Sequence, residues 1–336
     1  MKSITLLLLA LCSSSAWAVV DGTPLNWGQH DNTVYIDGCT GTFIGGRYVL
    51  TAAHCYNQND WAVMQDADNN IYYALDGDFL ESSVLHPNYQ AGIVSEDVAL
   101  VKLNREFEYT TIQFFKDLAT PGFEQDATFT LDGFGGTDNV LHRAEFKMSR
   151  TSGPSFPFYI GAWQTGIAHA TQGDSGGAWV NNQQEIFAIT QGGGFDSVQQ
   201  LHEVSGIDLH YVKDFLLEHI NGWHYPTVVN GQGRVTVEVQ SLHLNPVSDS
   251  AYTSGNVTLI SESSSCLDGA INAFERCQYV LDVQGQGALH LSSSEKVKLN
   301  PNASNGDDGG SLGLWSVMAF TILGWRRRYG LKKTLR

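Results

Sequence analysis

Apolar and polar positions alternate most clearly in the last third of the chain. In residues 234–239, Val235, Val237 and Val239 interleave with Arg234, Thr236 and Glu238. Runs of the same kind occupy 256–260, 278–283 and 288–291. A period of two sends successive side chains to opposite faces of a strand, so each run predicts a strand with one buried face. Asn230-Gly231, Gly255 and Gly285 punctuate the runs as turns. Together they predict a small antiparallel β module over 226–300, after a boundary near Tyr225-Pro226. An immunoglobulin-like sandwich is the expected form, though about 75 residues is small for one. Further upstream, Val98-Ala99-Leu100-Val101 reads as an apolar strand. Residues 211–220 read as a helix whose apolar face carries Phe215, Leu216 and Ile220.

Two runs are apolar without alternation. Residues 4–11 follow Lys2 and precede Ala16-Trp17-Ala18, the pattern of a secretory signal over 1–18 with cleavage after Ala18. Cys12 raises a lipoprotein alternative, which the bulky Leu11 before it disfavours. Residues 312–325 form the second run, between the polar, glycine-rich 301–311 and the basic 326–336. At 1.5 Å per residue these 14 residues span only ~21 Å, short for a bilayer core of ~30 Å. A transient membrane association fits that length better than a permanent anchor, with the basic tail on the cytoplasmic side.

Charge narrows the setting. The chain carries −16 overall, but 19–311 holds 12 basic against 35 acidic residues, a net of −23. That excess argues against nucleic acid or anionic membrane as a partner and favours solubility outside a cell. Of five cysteines, Cys12 lies in the signal. The even remainder, in an exported chain, reads as two disulfides. Clustered Cys/His ligands are absent from the sequence, so neither a structural zinc nor a cofactor is expected.

Candidate chemistry sits in three separated motifs. Gly173-Asp174-Ser175-Gly176-Gly177 offers a hydroxyl among glycines, Thr51-Ala52-Ala53-His54-Cys55 an imidazole, and Asp97 a carboxylate at the head of its strand. A serine hydroxyl is a weak nucleophile at neutral pH and needs a base to take its proton. Imidazole suits that role, and a carboxylate can hold it in the right tautomer. Ser175, His54 and Asp97 therefore read as nucleophile, general base and orienting acid.

The order His, Asp, Ser, spaced 43 and 78 residues apart, resembles the trypsin-like (chymotrypsin-fold) serine proteases. Leu85-His86-Pro87-Asn88-Tyr89, Asp132-Gly133-Phe134-Gly135-Gly136 and Ala188-Ile189-Thr190-Gln191-Gly192 extend the resemblance over 19–225. It implies an all-β double barrel with a short closing helix, followed here by the small β-sandwich-like module. It also implies a Cys39–Cys55 disulfide beside the histidine, and an oxyanion hole from the Gly173 and Ser175 amides. Cys266 and Cys277 are the candidates for the second bridge. Thr190, Gln191 and Gly192 would meet substrate backbone, with Gln172 close to the nucleophile. Val19-Val20-Asp21-Gly22 is similar to the family's activated N-terminus, whose free amine pairs with the acid before the nucleophile, here Asp174. Signal peptidase would then generate the active N-terminus directly. Gly309-Gly310, the apolar run and Arg326-Arg327-Arg328 resemble the GlyGly-CTERM sorting signal. That likeness implies a rhomboid-like sorting protease, type II secretion machinery and a Gram-negative cell exporting the protein through its periplasm.

The resemblance places the base of the primary specificity pocket six residues before the nucleophile, at His169. An aspartate there would imply cleavage after Arg or Lys, and the family's nearby cysteine is Thr171 here. Three readings stay open: Asp196 or Glu203 presents a carboxylate, His169 favours acidic or polar side chains, or His169 is a satisfied pocket residue. The expected function is a secreted serine endopeptidase acting on protein or peptide substrates through an acyl-enzyme. An esterase with the same triad and an inert surface binder are the alternatives.

Overall fold

The computed structural model describes residues 19–56, 61–136 and 140–302. The expected signal (1–18), the polar segment from 303, the apolar run 312–325 and the sorting residues Gly309, Gly310, Arg326, Arg327 and Arg328 lie outside the described residues. Among the described residues no helix is long and apolar enough to cross a membrane.

Residues 33–103 form a seven-stranded antiparallel sheet. Its spatial order is Ile71–Tyr73, Val63–Gln65, Thr33–Ile36, Cys39–Ile44, Tyr48–Thr51, Ala99–Leu103 and Leu80–Leu85. Val34, Ile36, Phe43, Val49, Met64, Val101 and Leu103 fill its concave side, with Trp61 and Phe79 from the loops.

The sheet built from residues 128–208 closes completely. His142–Thr151, Thr128–Gly133, Ala178–Asn181, Glu185–Asp196, Leu201–Asp208 and Tyr159–Gln164 pair in that order, and Tyr159–Gln164 returns to His142–Thr151. Closure leaves this six-stranded barrel without free edges. Inward positions of Thr128–Gly133 alternate with outward ones, so Phe129 and Leu131 point into the barrel. Trp179 stacks on Phe129 at 4.2 Å, and Phe146, Ile160 and Val204 complete the packing. The architecture is the chymotrypsin-like fold of one closed barrel and a second half-barrel. A separate core lies between the two sheets, where Ile44, Leu50 and Leu100 meet Ile186, Ile189 and Ile207.

The closing helix is shorter than its pattern predicts, running Lys213–Ile220 after a 3-10 turn at Leu209–Val212. Asp208 causes the difference. Its carboxylate accepts the His210 N–H at 3.1 Å and so caps the tighter turn first. Phe215, Leu216, Leu217 and Ile220 bury the expected face against the core between the sheets.

Beyond the helix, Gly233–Ser241 pairs with the long strand Arg276–His290, Val235 opposite Leu281, Val237 opposite Tyr279 and Val239 opposite Cys277. Tyr252–Leu259 and Lys296–Leu299 add to the same long strand. The sheet is mixed, where an immunoglobulin-like sandwich would have two antiparallel sheets. Val228–Val229 lies parallel to Lys296–Leu299, and among the described residues only a two-stranded ribbon, Val247–Ser248 with Ala270–Ile271, stands apart. Trp223–His224, before the expected boundary, already pairs with Gly233–Ser241. Buried polar bonds also cross that boundary. The Gln240 side chain donates to Phe115 O and Phe274 O at 2.8 and 2.9 Å and accepts the Phe115 N–H at 2.9 Å. His224 is fully buried between the Gly45 N–H and Gln113 O. Disulfides join Cys39 to Cys55 and Cys266 to Cys277.

Candidate active site

Antiparallel pairing of Tyr48–Thr51 with Ala99–Leu103 sets Thr51 opposite Ala99. The chain leaving one strand and the chain entering the other therefore run side by side, which brings His54 to Asp97 across 43 residues. His54 sits in the 3-10 turn Ala53–Cys55, tied to the neighbouring strand by the Cys39–Cys55 bridge. Asp97 takes two bonds from it, the backbone N–H at 2.8 Å and Nδ1 at 2.6 Å. The carboxylate is 4% exposed and the imidazole 35% exposed, so one end of the ring is held in the protein and the other faces solvent. A carboxylate at Nδ1 selects the tautomer with Nδ1–H and leaves the Nε2 lone pair free. His54, Cys39 and Cys55 also form the one cluster of potential metal ligands among the described residues, but the disulfide leaves no thiolate there.

Ser175 lies on a turn stitched to both sheets. Thr40 donates its N–H to Ser175 O at 2.9 Å and its Oγ1–H to Gly173 O at 2.8 Å, while Gly176 N–H reaches Thr190 O at 2.8 Å. Ser175 and His54 line one cleft of about 470 Å³. No hydrogen bond joins their side chains. Among the described residues, the N–H groups of Gly173 and Ser175 donate to no protein acceptor. Gly173 has φ +106°, and a Cβ there would stand 2.7 Å from Gly135 Cα, so only glycine holds this amide in place.

Asp174 points away from the cleft and is fully buried. Its carboxylate accepts the Gly135 and Thr171 N–H groups, each at 2.8 Å, and the Val19 backbone N–H adds a smaller influence. Burial nevertheless pushes its pKa up to about 6, with those bonds opposing the rise. A Cβ on Gly135 would stand 2.5 Å from Asp174 Oδ2, which explains the Gly-Phe-Gly segment. Val19 is itself fully buried, and Val20 O accepts the His169 N–H at 3.0 Å.

Four of the expected substrate-contacting residues, His169, Gln172, Gln191 and Gly192, line the cleft. Thr190 does not. Its hydroxyl is buried behind the cleft, accepting Trp179 Nε1–H at 3.0 Å and donating to Gly177 O at 3.1 Å. Neither acid suggested for the pocket reaches it. Glu203 pairs with Arg150 at 2.6 Å, and Asp196 caps the Val198 and Gln199 amides. The sequence reading missed Gly193, Gly194, Phe195 and His202, which the hairpin register Phe195 opposite His202 carries into the lining. The glycine run 192–194 followed by a returning strand was the available signal.

A family model described as Trypsin matches residues 20–205, more than half of the sequence. The chain belongs to the trypsin family. This trypsin-family chain is similar to the venom serine protease Bi-VSP of Bombus ignitus, 36% identical over 77 residues that make up 21% of each protein. It is 32% identical to chymase of Rattus norvegicus over 33% of this chain and 49% of that one. It is 26% identical to the chymotrypsin-like protease VLCTLP of Macrovipera lebetinus over 64% of this chain and 90% of that one. The chain thus spans between a fifth and a half of the first curated relatives it matches. Among solved structures it is similar to the VesB protease of Vibrio cholerae, with a TM-score of 0.47, 20% identity and coverage of 83% of this chain and 98% of that one.

Proposed function

We propose that this trypsin-family protein is a secreted serine endopeptidase. Ser175 Oγ attacks the carbonyl carbon of the scissile peptide bond as His54 Nε2 takes its proton. Asp97 holds the ring and stabilises the imidazolium. Negative charge gathers on the carbonyl oxygen, and the unbonded Gly173 and Ser175 amides are available to receive it. A donor of that kind is worth ~3 kcal/mol in the transition state. His54 then protonates the departing amine, leaving an ester on Ser175. Water activated by the same imidazole hydrolyses that ester. The Ser175–His54 hydrogen bond, open here, forms once substrate excludes water from the cleft.

One observation carries this reading: a doubly bonded His54–Asp97 pair opens onto the cleft that also holds Ser175. Cleavage after Ala18 would turn the Val19 nitrogen, near Asp174, into an ammonium. The two disulfides fit export to an oxidising compartment. We read the C-terminal segment as a sorting signal on the residues given above, with a rhomboid-like protease and type II secretion as its partners.

Labelling the processed protein with a fluorophosphonate tests the central claim. The label should sit on Ser175, and Ser175→Ala should remove it and lower kcat by at least ~10⁴-fold with no change in thermal midpoint. An unlabelled protein of intact fold points to an inert binder, and labelling with turnover of esters but not peptides points to an esterase.

A further inference from the structure

The cleft beside Ser175 is walled by two stacked imidazoles. The rings of His169 and His202 lie 3.6 Å apart, centre to centre, and 16° from parallel. They arrive on separate elements. His169 precedes the Ser175 turn and is pinned by its N–H to Val20 O. His202 lies on Leu201–Asp208, its N–H donating to Gln164 Oε1 at 2.7 Å, with Phe195 against its ring at 5.1 Å. His169 Nδ1 is 3.2 Å from Ile167 O. A carbonyl only accepts, so Nδ1 carries the hydrogen and Nε2 is free. A proton gained at Nε2 makes a new donor without breaking the Ile167 bond.

The charged and titratable groups around the pair leave that donor unclaimed. Glu203 is held by Arg150, and Asp196 by the Val198 and Gln199 amides. Asp174, behind the cleft, acts on His169 through its field but gives its oxygens to backbone amides. Asp21 follows the Val20 bridge and is exposed, Tyr159 OH approaches Gln191, and His54 stands across the cleft. Among the described residues no carboxylate lines the cleft. Like charges this close repel, and burial together with the neighbouring His169 lowers the pKa of His202, so the pair carries at most one proton. An incoming carboxylate would favour that first proton, taken from solvent. Across the rest of 19–311 acids outnumber bases, but charges beyond ~8 Å are largely screened at physiological ionic strength. The local imidazoles therefore decide recognition.

We propose that His169 and His202 make this cleft selective for substrates with Glu or Asp before the scissile bond, with one shared proton taken up as the carboxylate enters. The proposal rests on the endopeptidase reading, and its test separates the two. Peptides differing only in Glu, Gln, Leu or Arg at that position are compared by kcat/KM at pH 5.5 and 8. Glu should exceed its uncharged isostere Gln by 10-fold or more at pH 5.5, and the ratio should fall several-fold by pH 8. His202→Phe, which keeps a ring over His169 but cannot share a proton, and His169→Gln should each bring the ratio near one. A ratio at or below one at both pH values, a preference for Arg or Leu, or a ratio retained in both variants overturns the proposal. Binding answers independently of turnover. In Ser175→Ala, NMR titration of the ring signals of His169 and His202 should show a raised pKa with a peptide ending in Glu and none with one ending in Gln. Equal shifts, or no shift with either, overturn it whatever the catalytic outcome.

Discussion

Retaining one residue before Val19 should change how stability depends on pH, and the structure sets the size of the effect. With Ala18 in place the Val19 nitrogen is an amide, and Asp174 has only backbone N–H groups to offset its burial. Its pKa stands at about 6 against an ordinary 3.8. At 1.36 kcal/mol per unit, ionising it costs the folded state about 3 kcal/mol. A raised carboxylate pKa means that the folded chain binds the proton more tightly than the unfolded one. The associated stability is present below pH 3.8 and lost as pH rises through about 6. Removing Ala18 turns the Val19 nitrogen, which lies near Asp174, into an ammonium. Pairing with that ammonium should lower the carboxylate pKa from about 6 and raise that of the amine above its usual ~8. The processed protein keeps its stability through the acid window and loses this contribution only as pH rises through the raised amine value. Other carboxylates are common to both forms and cancel in the comparison. Denaturant unfolding of the two forms between pH 4 and 9 measures the difference, which should open by about 3 kcal/mol between pH 4 and 7. The Ala18-retaining form should also have a lower kcat/KM at pH 8, because the Ser175 turn is built on Asp174. Superimposable profiles over the whole range, or unchanged kcat/KM in the extended form, would refute the pairing.

Two further outcomes are expected. Replacing Cys39 and Cys55 together by serine opens a loop of 16 residues beside His54, which should cost about 3 kcal/mol in chemical denaturation under non-reducing conditions. His224, fully buried, has its pKa lowered to about 4 chiefly by desolvation. A depressed histidine pKa means that the unfolded chain binds the proton more tightly, so stability is lost as pH falls from 6.5 toward 4. About 3 kcal/mol should disappear in that window, and His224→Gln should flatten this part of the profile.

Much of the fold is legible in the chain because its signals are local. Period-two alternation in 234–239 and 278–283 gave both strands their buried faces, and the observed register sets Val237 against Tyr279. The helix start slipped because capping by Asp208, a side-chain hydrogen bond, overrode the apolar pattern. The parallel pairing of Val228–Val229 with Lys296–Leu299 left no trace in either segment, since it joins positions about 70 residues apart.

The amino-acid sequence alone determined the chemical inventory near Ser175: which hydroxyl, imidazole and carboxylate exist, in what order, and where glycines leave room for amides. Only the tertiary structure decided what surrounds that inventory. Thr190 turns its hydroxyl into the core, Glu203 goes to Arg150, and His202 lies flat on His169. Each outcome depends on strand register and barrel closure. A shift of one residue reverses every side chain in a strand, and no local pattern specifies which long-range partner a strand will meet.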